Sequence, residues 1–225
     1  MKIPISDRLL ACAGFVACGD RVADIGCDHG YLSIYLLTNH IAVSCIAADI
    51  NQQPLLSAVR NAEKYGVRDK IEFCLSDGVR SIPRDFDTLV CAGMGADTMV
   101  HILESAPWLQ SSQYRMILQC QSKTPMLRQY LSDTGWRITK ESVLRDGKFL
   151  YTVMEVLWDP NYPRLTPAQT YFSPALLETP CEALPDYFRW VIGGLQISVD
   201  GLARTGGENY ETQRKILDEL QRMTL

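Results

Sequence analysis

Ala23-Asp24-Ile25-Gly26-Cys27-Asp28-His29-Gly30-Tyr31-Leu32 is the stretch on which the reading of this chain turns. An apolar, strand-like run ends at Ile25, two glycines bracket a turn, and a helical run begins at Tyr31. Glycines at such a turn let a ligand come close to the backbone. Their Gly-x-x-x-Gly spacing departs from the Gly-x-Gly-x-x-Gly that brings a pyrophosphate to a helix N-terminus. Asp24 and Asp28 beside the turn repel phosphate and suit a ligand with positive charge, such as an ammonium and a sulfonium. The alternative is a structural loop with Asp28 as a helix cap.

Outward from this turn the alternation repeats. Strand-like runs lie at 22–25, 43–48, 71–75, 88–92 and 116–119, and helical segments at 31–38, 54–65, 97–105 and 125–134. That rhythm implies parallel pairing through right-handed crossovers, hence an α/β doubly wound sheet. Upstream, residues 5–18 read as an amphipathic helix with Ser6 or Asp7 as N-cap and Gly19-Asp20 at its end. Downstream the rhythm breaks: strand-like runs at 136–144 and 149–158 flank Arg145-Asp146-Gly147-Lys148, a strong hairpin signal. A parallel sheet ending in an antiparallel hairpin looks like the Rossmann-like class I S-adenosylmethionine (SAM) methyltransferase fold, which by itself assigns no function.

From 159 to 185, Pro160, Pro163, Pro167, Pro174, Pro180 and Pro185 mark a connector poor in regular structure. Beyond it Phe188, Ile192, Leu195, Val199 and Leu202 step by four and three, and Leu217 and Leu220 continue the habit after Gly206-Gly207. One apolar stripe on each of two helices predicts an antiparallel, coiled-coil-like helical hairpin. The expected division is a methyltransferase-like domain at 1–159, then connector and helical domain at 160–225.

Composition bounds the function. With 225 residues, 47% hydrophobic and 21% charged, the chain is globular rather than disordered or fibrous. A net charge of -4 supplies no global field to draw in nucleic acid, so any such site is a local patch. Between Arg115 and Lys148, seven basic residues face three acidic ones, an excess that could contact phosphates or simply be solvated. The tail, with six basic and eight acidic residues from Asn161 onward, is no clear electrostatic clamp, although Arg189, Trp190, Arg204, Arg214 and Lys215 could form a stripe. Eight cysteines scattered through apolar runs, without Cys-x-x-Cys, read as small buried hydrophobes, and no metal is expected. No apolar run approaches the ~20 residues that span a bilayer, so no membrane partner is expected and the cytoplasm is the simplest address.

Three further positions could carry chemistry. Asp49, with Ile50 beside it, ends the second strand 23 residues beyond Gly26, where a carboxylate can grip ribose hydroxyls or cap the helix near Pro54. Asp77-Gly78 follows the third strand, placed to accept from an adenine amino group or to form a plain turn. Three acids at the carboxyl ends of three successive strands jointly favour an adenosyl cofactor. Cys91-Ala92-Gly93-Met94-Gly95-Ala96-Asp97 follows the fourth strand and lacks the Asn/Asp-Pro-Pro-aromatic loop of amino-directed methyltransferases. A glycine-flanked Met94 suits a nucleophile that already offers a lone pair; the alternative is a tight turn with Asp97 as N-cap.

Together, Asp24 to Leu32, Asp49, Asp77-Gly78, Ala92-Gly93-Met94-Gly95, Ile117-Leu118-Gln119 and Leu127-Arg128-Gln129-Tyr130-Leu131 resemble the bacterial tRNA (adenine-22 N1)-methyltransferase family. Ala96 and Cys120 depart from it, standing where that pattern usually has glycine and proline. The resemblance implies SAM-dependent methylation of N1 of an adenine in the D-arm of tRNA, and Asp28, His29, Met94 and Gly95 lining the reacting centre, with a cap or packing residue the alternative for His29. It implies Asp24, Gly26, Asp28, Gly30, Asp49, Ile50, Asp77, Gly78 and Gly93 around the cofactor. Arg8, Lys123, Arg128, Arg145 and Arg189 are the RNA-contact candidates, Arg8 facing either the cofactor crevice or the RNA. A monomer is compatible with the sequence. The rival readings are methylation of a small molecule or protein and a noncatalytic module that binds SAM and RNA; a dehydrogenase is disfavoured by the glycine spacing and the hairpin.

Overall fold

The computed structural model describes residues 2–179, 181–204 and 206–223; Pro180 of the connector lies outside them. In chain order the elements are α1 (Asp7–Ala13), β1 (Asp20–Ile25), α2 (Tyr31–Thr38), β2 (Ala42–Asp49), α3 (Gln52–Lys64), β3 (Ile71–Leu75), β4 (Thr88–Met94) and α4 (Ala96–Glu104). Then come β5 (Arg115–Cys120), α5 (Thr124–Asp133), β6 (Trp136–Asp146), β7 (Phe149–Trp158), α6 (Pro174–Glu178), α7 (Leu184–Leu202) and α8 (Glu208–Gln221).

The strands form one sheet in the order β3-β2-β1-β4-β5-β7-β6. β1 to β5 are parallel, and β7 runs antiparallel to both β5 and β6. Asp146 pairs with Phe149, so Gly147-Lys148 is a two-residue turn, as the Asp-Gly signal predicts. Side chains of the central strands alternate between two cores. Ile25, Ala48, Cys91, Leu118 and Met154 face α4 and α5, whereas Val22, Ala47, Val90, Ile117 and Val153 face α1 to α3. Covering both faces is what makes these strands continuous apolar runs rather than alternating ones. α2 buries Leu32, Ser33, Ile34, Leu36 and Leu37 and is apolar almost all round.

One expectation is corrected here. α1 begins on Ser6, whose hydroxyl accepts from the Leu9 N–H, but it stops at Ala13 instead of reaching Cys18. Tight bonds from Phe15 N–H to Cys12 O and from Val16 N–H to Ala13 O close it, freeing the chain to turn into β1. The connector carries the short α6, which Ser173 caps, with Pro174 in its first turn, and which packs on β6.

The tail forms a third core. Phe172, Leu176, Leu184, Tyr187, Leu195, Val199, Ile216, Leu217 and Leu220 pack together and against Val143 of β6. α7 and α8 are the expected helical hairpin. No helix among the described residues is long and apolar enough to cross a membrane.

Candidate functional site

β1 and β4 are neighbours, and the loops leaving their carboxyl ends meet α1 in a crevice of about 200 Å3. Arg8, Asp24, Gly26, Asp28, His29 and Gly93 line it. Asp24, near the end of β1, is 3% exposed, and its Oδ2 accepts from Ser33 Oγ at 2.8 Å. Burial raises its carboxyl to about 6, with Asp49 adding to the effect and the Ser33 bond opposing it. A carboxylate so desolvated gains most from a cationic partner. Arg8 of α1 lines the same crevice, and its buried Nε has no hydrogen-bond partner among the described residues. A buried acid and an incompletely paired guanidinium in one crevice match the ammonium and carboxylate of an amino acid.

The glycines are required by conformation. Gly26 has φ +72°, and a Cβ there would meet Met94 Cε, so Met94 rests directly on the β1 turn. Gly93 has φ +80° at a break in the β4 register. Its N–H donates to Gln119 Oε1 at 3.0 Å, and a Cβ there would stand 3.6 Å from both Arg8 Nη2 and Gln121 Nε2. Gly93 is therefore bare backbone between two donor side chains.

Asp28 sits in the left-handed region at φ 49°, which aspartate tolerates better than most residues. Its N–H donates to Asp49 Oδ2 at 3.1 Å, while Asp49 Oδ1 accepts from Asn51 N–H at 2.8 Å. Asp49 thus ties the β1 loop to the β2 loop. The side chains of Asp28 and His29 are exposed, with His29 Nε2 3.6 Å from Asp28 Oδ1. None of the capping roles weighed for Asp28, Asp49 and Asp97 is taken up, because Gly30, Asn51 and Gly95 hold the N-cap positions of α2, α3 and α4.

Asp49, Ile50, Asp77 and Gly78 do not line the 200 Å3 crevice but continue along the carboxyl edge, after β2 and β3. Ile50 is exposed there. Asp77 accepts from Arg80 Nη1 at 2.8 Å, so an adenine amino group would have to share it. Gly78 is pressed on by Ile102 of α4.

The basic candidates scatter. Arg8 faces the crevice; Lys123, exposed at the N-cap of α5, pairs with Asp97 at 2.8 Å; Arg145 and Arg189 converge on Asp186 of α7. Arg128 is a correction. It is 0% exposed and cannot touch RNA: Nη2 binds Glu141 Oε1 at 2.7 Å, and Nη1 donates at 2.8 Å to the carbonyls of Thr170 and Tyr171.

Residues not singled out for chemistry also shape the site. Gln119, buried in the apolar run of β5, holds Gly93 with Oε1 and donates from Nε2 to Cys120 O. Its signal was available, since an amide inside a buried strand must have a partner. Gln121 and Ser122 had none, because their role depends on the β4 and β5 loops meeting. Cys27, Cys45 and Cys91 are held well above the ordinary thiol range, chiefly by burial, and are no nucleophiles, whereas Cys18 is exposed. Among the described residues no group of three or more His, Cys, Asp or Glu side chains could hold a metal ion.

The chain is similar to known proteins. Residues 5–154 match the family described as Methyltransferase domain. The chain is 33% identical over 154 residues to a tRNA (adenine(22)-N(1))-methyltransferase of Bacillus subtilis, a match covering 68% of this chain and 65% of that one. The chain thus spans slightly less than two thirds of that curated relative. Among solved structures, the B. subtilis M1A22 tRNA methyltransferase TrmK superposes with a TM-score of 0.81 at 27% identity, covering 98% of this chain and 95% of that one. Streptococcus pneumoniae Sp1610 in complex with S-adenosyl-L-methionine superposes with a TM-score of 0.79 at 28% identity, covering 96% and 98%. The match extends over most of the sequence and coincides with the sheet that builds the crevice, so the chain belongs to the methyltransferase domain family.

Proposed function

We propose that the protein transfers the methyl group of SAM to N1 of an adenine in the D-arm of tRNA, at the position numbered 22. The observation that carries this reading is the crevice itself, where Asp24 and Arg8 are matched to an amino-acid moiety beside the Gly93-Met94-Gly95 loop. The substrate is supported by the likeness to the B. subtilis enzyme, and the cofactor by the likeness to the SAM-bound Sp1610 structure.

Asp24 receives the ammonium, Arg8 the carboxylate, and Asp49 with Ile50 the ribose, while Asp77 and Gly78 border the adenine. Gly26, Gly30 and Gly93 keep side chains out of the way. When bound, the cofactor supplies an electrophilic methyl on a positively charged sulfur. N1 of neutral adenine already has a lone pair, so the protein removes no proton to activate it; it aligns N1 with the methyl carbon and excludes water. The base must leave its stack to present N1. Met94 and Gly95 form the surface against which it is positioned, with Asp28 and His29 at the crevice mouth. As N1 gains its third substituent, the methyl group, the base becomes cationic, and the exposed Asp28 carboxylate accepts from the 6-amino group and offsets that charge.

Residues 1–159 form the catalytic unit and 160–225 a unit that helps hold RNA, with Lys123 and Arg145 of the first and Arg189 of the second contacting phosphates, in a monomer acting in the cytoplasm. The test is incubation of the protein with labelled SAM and unmodified tRNA, followed by digestion to nucleosides and mass spectrometry. Appearance of 1-methyladenosine is expected, and sequence mapping of the methylated tRNA should then place it at position 22. SAM binding with no methylated tRNA nucleoside would overturn the substrate assignment and leave a small-molecule or protein methyltransferase.

A further inference from the structure

A second cleft, of about 350 Å3, lies between the loop after β5 and the tail helix α7. Gln121 to Lys123 form one side and Trp190 and Gly194 another, and Tyr151 and Thr152 of β7 also line it. No residue lines both this cleft and the cofactor crevice. The volume falls within the range of small-ligand pockets, about 300–1,000 Å3.

Four observations identify an occupant. The loop on one side is braced against the methyl-transfer loop: Gln121 N–H donates to Met94 O at 2.9 Å, and Ala96 N–H donates to Ser122 O at 3.1 Å. Whatever fills the cleft is therefore one loop away from the reacting centre. Thr152 is 1% exposed, and its Oγ1 has no hydrogen-bond partner among the described residues. A buried hydroxyl without a partner is costly, so a ligand that supplies one gains a bond the fold does not. Trp190 is 64% exposed although it borders the cleft, and its ring lies 5.8 Å from that of Tyr187. An indole held this way offers a free face for a planar ring. Finally, Lys123 is the one ionised side chain lining the cleft among the described residues, exposed and shared with Asp97, and the first turn of α5 opens there without a side-chain cap, so an anion at that end meets the helix N-terminus and a lysine that can turn to it.

A planar polar ring carried on an anionic backbone is a nucleotide. We infer that this cleft is an RNA subsite that takes one unstacked nucleotide other than the methylated adenosine, its base on Trp190 and within reach of Thr152, its phosphate toward Lys123. The methylated base has to present N1 in the other crevice, at Gly93 and Met94, and none of those residues lines this cleft. The inference rests on the reading of the protein as a tRNA methyltransferase and adds a second point at which the substrate is read.

The test combines Trp190→Ala, Trp190→Phe and Thr152→Val with tRNAs that carry a single abasic nucleotide, moved one position at a time through the D-arm and its neighbours. Trp190→Ala is expected to raise KM for intact tRNA about tenfold, with SAM affinity unchanged and kcat altered less, while Trp190→Phe keeps most of the affinity. Thr152→Val should shift KM in the same direction without lowering the melting temperature. One abasic position other than the target should reproduce the Trp190→Ala loss and add nothing when combined with it. An unchanged KM, losses that add at every position, or coupling to the target adenosine alone would each overturn the subsite while leaving the methyltransferase reading standing. Wild-type protein that forms no 1-methyladenosine on intact tRNA would remove both.

Discussion

Asp24 is the residue at which stability and function conflict most directly. Its carboxyl titrates at about 6 in the folded protein, mainly because it is buried, and near 3.9 in an unfolded chain. The folded state therefore binds the proton more tightly. The stability this contributes is complete below about pH 4 and is lost as pH rises through 6. Asp24→Asn is expected to raise the melting temperature of the ligand-free protein at pH 7.5, by removing a penalty on the order of 2–3 kcal/mol, and to abolish the stabilisation that SAM confers. Calorimetric scans with and without SAM test both. Because the cationic ligand favours the ionised carboxylate, SAM affinity in the wild type should fall about tenfold between pH 7 and pH 5, measured by titration calorimetry; a flat profile would show that Asp24 does not meet the ammonium. Asp49→Ala should weaken SAM binding, and equal affinity in variant and wild type would show that the ribose is gripped elsewhere. At this scale the acids were legible, since aspartates at strand ends stand out in apolar runs. That Asp49 also accepts the Asp28 N–H was not, because the bond joins residues 21 apart.

Among the elements, the hidden one is the junction of α5, β6 and α7. Arg128 and Glu141 are both 0% exposed, and Ser173 Oγ donates to Glu141 Oε2 at 2.6 Å. Tyr187 of α7 is buried, and burial raises its phenol above the ordinary range, with the Arg128 guanidinium opposing the effect. One ion pair thus fastens the tail to the sheet. Arg128→Met should destabilise by about 3–5 kcal/mol, because Glu141 keeps a buried charge, whereas Arg128→Met with Glu141→Leu should recover much of that loss. Urea unfolding distinguishes the cases; equal losses would assign the role to the carbonyls of Thr170 and Tyr171. The segment around Arg128 was read as a basic patch because charge in a sequence is counted without knowing which side of a helix it occupies. The strands and the 31–38 helix were legible to within about two residues at either end, since hydrophobic period and turn residues are local signals.

Taken whole, the molecule has a net negative charge, so the tRNA binding proposed for it would depend on a few local cations rather than on its overall field. tRNA affinity should fall with salt. Arg145→Ala and Arg189→Ala should each lower the slope of log affinity against log salt by about one with SAM binding intact, as measured by filter binding; an unchanged slope would place the RNA elsewhere. Both arginines share Asp186, so their effects should be less than additive. By itself the sequence determined the parallel sheet, the terminal hairpin, the helical tail and the acids at the strand ends. All of these follow from periodicity, turn chemistry and residue type within short windows. Only the tertiary structure decided that Arg8 reaches the crevice, that Arg128 is buried, and that the loop after β5 separates two clefts. Each of these depends on segments far apart in the chain being brought together, and the sequence carries no local signal for that proximity.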